Sequence, residues 1–139
     1  MEFQKLIEER RTIRKYSPES RITKEDLLAV IRAAQEAPSW KNSQTGRYYC
    51  VMSEEMVEKV SRECLPEMNQ AKAENASLIV TTFVHNHAGF QKDGTPDNEL
   101  GNGWGCYDLG TSERESDPEG KGAWIWNPDH GTSCRRQAP

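Results

Sequence analysis

Long apolar runs are missing from this chain. Across its 139 residues no run, Tyr48 to Met52 included, has more than five members, whereas a membrane-spanning helix needs about 20. The N-terminal Met-Glu-Phe-Gln-Lys has neither a basic stretch nor an apolar one after it, so no secretory signal is expected. Cysteine is sparse, with four residues at 50, 64, 106 and 134 and no Cys-x-x-Cys pair, which argues against a zinc centre. Positive charge is not in excess either: 18 Lys and Arg face 22 Asp and Glu, a net charge of −4. That balance argues against a sequence-independent grip on nucleic acid. These absences lead us to expect a soluble, cytoplasmic protein with no membrane and no nucleic-acid partner, and with no disulfides. The length suits one domain.

A second shortage is local. From Thr111 to Pro139 there is no Leu, Val, Met or Phe, and the only large apolar side chains are Trp124, Ile125 and Trp126. Nine of the ten glycines lie beyond residue 86. The first 85 residues carry a core-forming pattern and the last 29 do not.

Within the patterned part, Phe3, Leu6 and Ile7 at i, i+3, i+4 predict a short amphipathic helix to about Arg10. Arg11 to Ser17 reads as extended, ending in a Ser17-Pro18 turn. Thr23 with Asp26 resembles a capping box, opening a helix whose apolar stripe is Leu27, Leu28, Ile31 and Ala34 and which stops before Pro38. Arg47 to Met52 reads as a strand. Ser53 can cap a further helix with Met56, Val60 and Cys64 in line, stopped by Pro66. A short helix at about 67–74 then precedes a buried strand, Leu78 to Val84. The polar, Gly-rich stretch Asn86 to Asn102 follows, of a length usual for functional or disordered loops. Alternating helices and strands give an α/β or α+β class, and two strands are too few for a stable sheet.

Three segments can carry chemistry. In an extended Arg10-Arg11-Thr12-Ile13-Arg14, alternate residues share a face, so Arg10, Thr12 and Arg14 point together. Two guanidiniums and a hydroxyl suit a phosphate, although a solvated basic run has the same composition. Pro38, Ser39, Trp40 and Asn42 lie in a polar loop rich in amides and hydroxyls, able to bind a heterocycle but also ordinary loop chemistry. Asn69 and Lys72, at i, i+3, can face one ligand, or simply form part of a short surface helix. His85 and His87 are spaced as alternate strand residues, which with the cysteines permits a metal-binding reading; two ligands alone are a poor site. Asp93, Gly94, Asp97 and Asn98 lack the spacing of a calcium loop.

In their order along the chain these pieces resemble the FMN-dependent nitroreductase family. An Arg-Arg-Thr-x-Arg-x-aromatic run follows the first helix, Ala-Pro-Ser-x-x-Asn-x-Gln leads into a strand, and Asn-x-x-Lys precedes an apolar strand. Trp104 and Asp108-Leu109-Gly110 resemble the start of that family's long central helix. The resemblance covers about residues 3–110 and implies an α+β fold, a mixed β-sheet flanked by helices, incomplete at the C-terminus. It implies FMN as cofactor, NAD(P)H and a small-molecule acceptor as partners, and a homodimer. Arg10, Arg11, Thr12 and Arg14 would hold the FMN phosphate and ribityl chain. Pro38, Ser39, Trp40 and Asn42 would lie along the flavin, usually from the partner subunit, and Asn69 with Lys72 would contact its pyrimidine edge. No side chain is nominated as catalytic acid or base. The family's loop usually reads Gln-Pro-Trp where this chain has Gln44-Thr45-Gly46.

The tail departs further, and the genetic code suggests why. Reading each codon from Thr111 onward from its second base, synonymous choices permit LQNENLILKAKELGFG, then T or I, then LIMGLR. The first part is an amphipathic helix with a Leu-Gly stop and the second a strand, which the family places after Asp-Leu-Gly. Third bases are free, but Trp124 and Trp126 are not: TGG followed by A must shift to GGA, giving Gly-x-Gly. Residues 1–110 are therefore expected to form the FMN-binding unit, cut short, and 111–139 an irregular, frameshifted tail. A genuinely divergent tail is the alternative. The functional expectation is a nitroreductase-like oxidoreductase; the alternative is an inactive flavin-binding fragment.

Overall fold

The computed structural model describes residues 3–9, 15–19, 22–116 and 123–126. The elements run α1 (Phe3–Glu9), α2 (Lys24–Gln35), β1 (Gly46–Val51), α3 (Glu54–Cys64), α4 (Glu67–Gln70), β2 (Leu78–Phe83), α5 (Gly103–Ser116) and β3 (Ala123–Trp126). Among the described residues no helix is long and apolar enough to cross a membrane. The expected capping box is present: the Thr23 side chain accepts the Asp26 N–H, and Asp26 accepts the Thr23 N–H at 3.1 Å. Ser53 likewise caps α3 through the Met56 N–H.

The sheet has the order β1-β2-β3, antiparallel between β1 and β2 and parallel between β2 and β3. With its flanking helices it makes an α+β architecture. Facing pairs run from Gly46 opposite Phe83 to Val51 opposite Leu78. Val57, Ala73 and Leu78 form a small core, with Val51, Val60, Leu65 and Ala76 packed on it. The buried face of α3 is turned from the expected one: Val57 and Ser61 are buried, whereas Met56 is 44% exposed. One helical step separates the two faces, and contact with Ala73 and Leu78 selects the second. In α2, Leu27 and Ala34 are buried as expected and Leu28 is exposed.

α5 packs against α2 and against the strands β1 and β2. Its approach to β2 is closest at Gly105, where an added Cβ would stand 2.2 Å from Phe83 Cδ2. Gly105→Ala gains about 1 kcal/mol of helix propensity. It also forces the buried Phe83 ring from its slot, an overpacking cost of about 1–3 kcal/mol. The overlap is severe enough that we expect a net loss of about 1–2 kcal/mol in urea unfolding; unchanged or greater stability would refute the close packing.

The tail differs from its expected irregularity. α5 continues past Gly110 to Ser116, and Ala123–Trp126 forms the third strand. Extending a helix costs far less than starting one, so the turn that α5 inherits from Gly103 to Gly110 carries Thr111 to Ser116 with it. This corrects the expectation for those residues; 117–122 and 127–139 lie outside the described ones.

The cost shows in which groups are buried. Ser112 is 6% exposed and receives the Tyr48 hydroxyl at 2.7 Å. Glu113 takes a hydrogen bond from the Thr81 hydroxyl, and burial raises its carboxyl above the ordinary glutamate value. The unfolded chain therefore ionises at Glu113 first, and stability falls as pH rises from the ordinary value through the raised one. Above that window the loss is complete. Glu113→Gln should raise the melting temperature at pH 7, with the gain shrinking as pH falls towards the glutamate range. A gain equal at all pH values would contradict this origin.

Candidate functional site

The polar segment between α2 and β1 is built by anchors from elsewhere in the chain. Pro38 follows the end of α2, and Ser39 is extended, at φ −130° and ψ 156°. The Ser39 hydroxyl accepts the Gln44 N–H at 3.0 Å, closing the loop on itself. Between them, Lys41, Asn42 and Gln44 all have left-handed backbones, at φ 51°, 54° and 50°. Such conformations cost non-glycine residues about 1–3 kcal/mol each and persist only where surroundings enforce them.

Trp40, which precedes them, is anchored from outside the loop. Its backbone N–H donates to both carboxylate oxygens of Asp108, at 2.9 and 3.0 Å. Its indole N–H donates to Asp97 at 3.1 Å, and its ring stacks on Trp104 with centroids 3.5 Å apart and planes 18° from parallel. The Lys41 ammonium meets Asp97 at 2.8 Å, and the Trp104 indole N–H is held by Asn98 at 3.0 Å. The two acids behave differently. Hydrogen bonds from the Lys41 ammonium and then the Trp40 indole hold the Asp97 carboxyl below the ordinary aspartate value. Burial pushes Asp108 above it, against the pull of the Trp40 N–H.

Asn69 and Lys72 lie on α4 and the 3-10 turn that follows it, and both are half-buried. The Lys72 ammonium donates to the Asn69 side-chain oxygen at 2.7 Å, so the i, i+3 spacing does bring them together. A cation and an amide at this spacing can meet one electron-rich, hydrogen-bonding edge.

The expected site residues thus fall into separate groups. Pro38 and Ser39 line a cavity of about 690 Å³ with Arg47, Tyr48 and Asp108. Trp40 and Asn42 line another, of about 330 Å³, with His87 and Phe90. Neither cavity is lined by Asn69 or Lys72. Arg10, Arg11, Thr12 and Arg14 lie outside the described residues. His85 stacks on Phe83 at 4.7 Å, and among the described residues Cys50, Cys64 and Cys106 form no disulfide. Sequence reasoning did not foresee the anchoring of Trp40 by Asp97, Asp108 and Trp104. One signal was available: Trp104 and Asp108 are i, i+4 and share a helix face.

Comparison with known proteins bears on both fold and site. A family model described as Nitroreductase family matches residues 7–102. YdgI of Bacillus subtilis (strain 168), which carries the name of an NAD(P)H nitroreductase, is 31% identical over 83 residues. That match spans 60% of this chain and 39% of the relative. The structure of a nitroreductase family protein from Clostridium novyi NT superposes with a TM-score of 0.66 at 22% identity, covering 86% of this chain and 63% of the other. An oxidoreductase containing FMN superposes with a TM-score of 0.57 at 26% identity, covering 82% of this chain and 55% of the other. The chain therefore spans less than two thirds of the length of each of these proteins.

Proposed function

The chain belongs to the nitroreductase family, and on that premise we propose that it acts as an FMN-dependent oxidoreductase. It would take hydride from NAD(P)H and pass it to a nitro compound, quinone or similar small acceptor in the cytoplasm. The observation that carries this reading is the Asn69–Lys72 pair, a half-buried ammonium held at 2.7 Å by an amide oxygen. A fixed cation of this kind fits the electron-rich pyrimidine edge of a flavin, on which reduction places negative charge. FMN, when bound, supplies the hydride chemistry; the protein binds and orients it.

Each group of residues has a role in that reading. Lys72 compensates charge and Asn69 fixes its direction. Arg10, Arg11, Thr12 and Arg14 would hold the phosphate and ribityl chain by charge-assisted hydrogen bonds. Pro38, Ser39, Trp40 and Asn42 would form a wall along the ring. Their cavities exclude Asn69 and Lys72, which suits a site completed by a second copy of the chain. We therefore include a homodimer in the proposal.

The alternative is a fragment that keeps flavin contacts but cannot complete the site. It is favoured by the limited span of 39% on the curated relative and by the polar groups buried on α5. One preparation separates the two. The chain is purified with excess FMN, desalted, and assayed for visible flavin absorbance, for NADH and NADPH oxidation, and for mass in solution. A yellow dimer that oxidises either nucleotide is expected. A colourless or partly unfolded product establishes the fragment instead, and stoichiometric metal without flavin would revive the metal-binding reading of His85 and His87.

A further inference from the structure

We propose that Asp108 is a positioning residue for the cofactor-facing loop: from the sheet-packed helix α5 it sets the backbone of Trp40, and through it the left-handed run that presents Asn42. The inference rests on the proposed flavin site only for what the loop does, not for how it is held.

Three observations converge. The first is the hydrogen bonding. A single backbone N–H is received by both oxygens of one carboxylate, at 2.9 and 3.0 Å, between residues 68 apart in sequence. The second is where the carboxylate sits. Asp108 is 7% exposed, next to the buried Leu109 on α5, and its burial disfavours the charge. An apolar side chain would serve the packing of α5 at least as well. The carboxylate therefore answers a need of the loop and not of the helix. The third is the second anchor on the same face. Trp104, one turn earlier, stacks on the Trp40 ring, so α5 fixes Trp40 by backbone and side chain together.

Asp97 extends the arrangement. It takes the Trp40 indole N–H and pairs with Lys41, the first left-handed residue. The polar 86–102 loop, which contributes Asp97, and the 38–44 loop are thereby held as one body on α5. A shift of Asp108 would move the strained residues Lys41, Asn42 and Gln44 as a group.

The test uses the full chain and two variants. Asp108→Asn keeps the size and one acceptor oxygen; Asp108→Leu keeps the size and has none. Two tryptophans stacked at 3.5 Å couple their excited states, so their circular-dichroism couplet reports Trp40 placement without any flavin. FMN affinity is read separately by quenching of free-flavin fluorescence, and melting temperature is followed in parallel. We expect Asp108→Leu to lose the couplet and weaken FMN binding about tenfold or more, as for loss of a charge-assisted hydrogen bond. Its melting temperature should hold or rise. Asp108→Asn should restore the couplet and most of the affinity. A couplet and affinity unchanged in Asp108→Leu overturn the proposal. So does an Asp108→Asn variant as impaired as Asp108→Leu, which also settles the matter if the leucine variant fails to fold. Should the parent chain take no FMN, the proposed function falls, while the couplet still decides the role of Asp108.

Discussion

Replacing residues 111–133 by the alternative reading, LQNENLILKAKELGFG followed by T and LIMGLR, should raise the stability of the chain by about 6–12 kcal/mol. The estimate counts four newly buried Leu or Ile side chains at about 1.5–3 kcal/mol each. It is comparable with the entire net stability of a typical domain, about 5–15 kcal/mol. The present helix shows why the change is so large. α5 already runs through Ser116, so its backbone needs no rearrangement over those residues. What it offers the sheet there is Ser112 against Tyr48 and Glu113 against Thr81; the alternative reading keeps both positions polar, with Gln and Asn, so the gain comes from the Leu and Ile side chains it places at 111, 116–118 and beyond. Burial already holds the Glu113 carboxyl above its ordinary value. The alternative reading changes Glu113→Asn and supplies the apolar stripe that the tail lacks. Urea unfolding of both chains measures the difference, with the midpoint expected to move well beyond that of the parent. Equal midpoints would falsify the frameshift reading, as would coding DNA around Gly110 whose shifted frame is interrupted. The same pair of proteins separates enzyme from fragment. If only the repaired chain retains FMN through desalting, the present one is a fragment.

The prediction also shows what could be read in advance and what could not. Local signals were legible: the Thr23–Asp26 box, the Ser53 cap and the Asn69–Lys72 spacing all involve neighbours three residues apart, where sequence separation and spatial contact coincide. The apolar face of α3 was misjudged by one position, because Met56 and Val57 both suit a stripe and only contact with Ala73 and Leu78 decides between them. Composition also misjudged the start of the tail. Thr111 to Ser116 has no core-forming residue, yet it extends a helix already nucleated upstream. The loop at 38–44 was recognisable as polar, but not its shape. Lys41 and Gln44 are unremarkable in sequence, and their left-handed backbones are imposed by acids 57 and 68 residues from Trp40. Pairings of that range leave no periodicity to detect.

Lys72→Met should slow NAD(P)H oxidation at saturating FMN by about 100-fold, the scale seen when a single preorganised charge-stabilising group is removed. Methionine keeps the length and most of the packing of lysine, so the half-buried turn at Ala71–Ala73 should remain folded while the positive charge goes. A unit charge near 4 Å in a site of intermediate polarity interacts by about 4 kcal/mol before desolvation is subtracted. A net loss of about 2–3 kcal/mol, or about 100-fold, follows. Binding should suffer less than rate, about tenfold in FMN affinity, because in the proposed role the full charge that Lys72 would oppose develops only on reduction. Lys72→Arg keeps the charge but not the compact ammonium that Asn69 accepts at 2.7 Å, so it should recover part of the rate. Asn69→Ala leaves the ammonium in place without its tether and should cost about tenfold, through orientation alone. The order parent, then Lys72→Arg and Asn69→Ala, then Lys72→Met is the signature of charge compensation. It should hold in the repaired chain as well as in the parent. If Lys72→Met oxidises NAD(P)H as fast as the parent at saturating FMN, Lys72 does not face the flavin, and the Asn69–Lys72 pair is only a brace for its own turn.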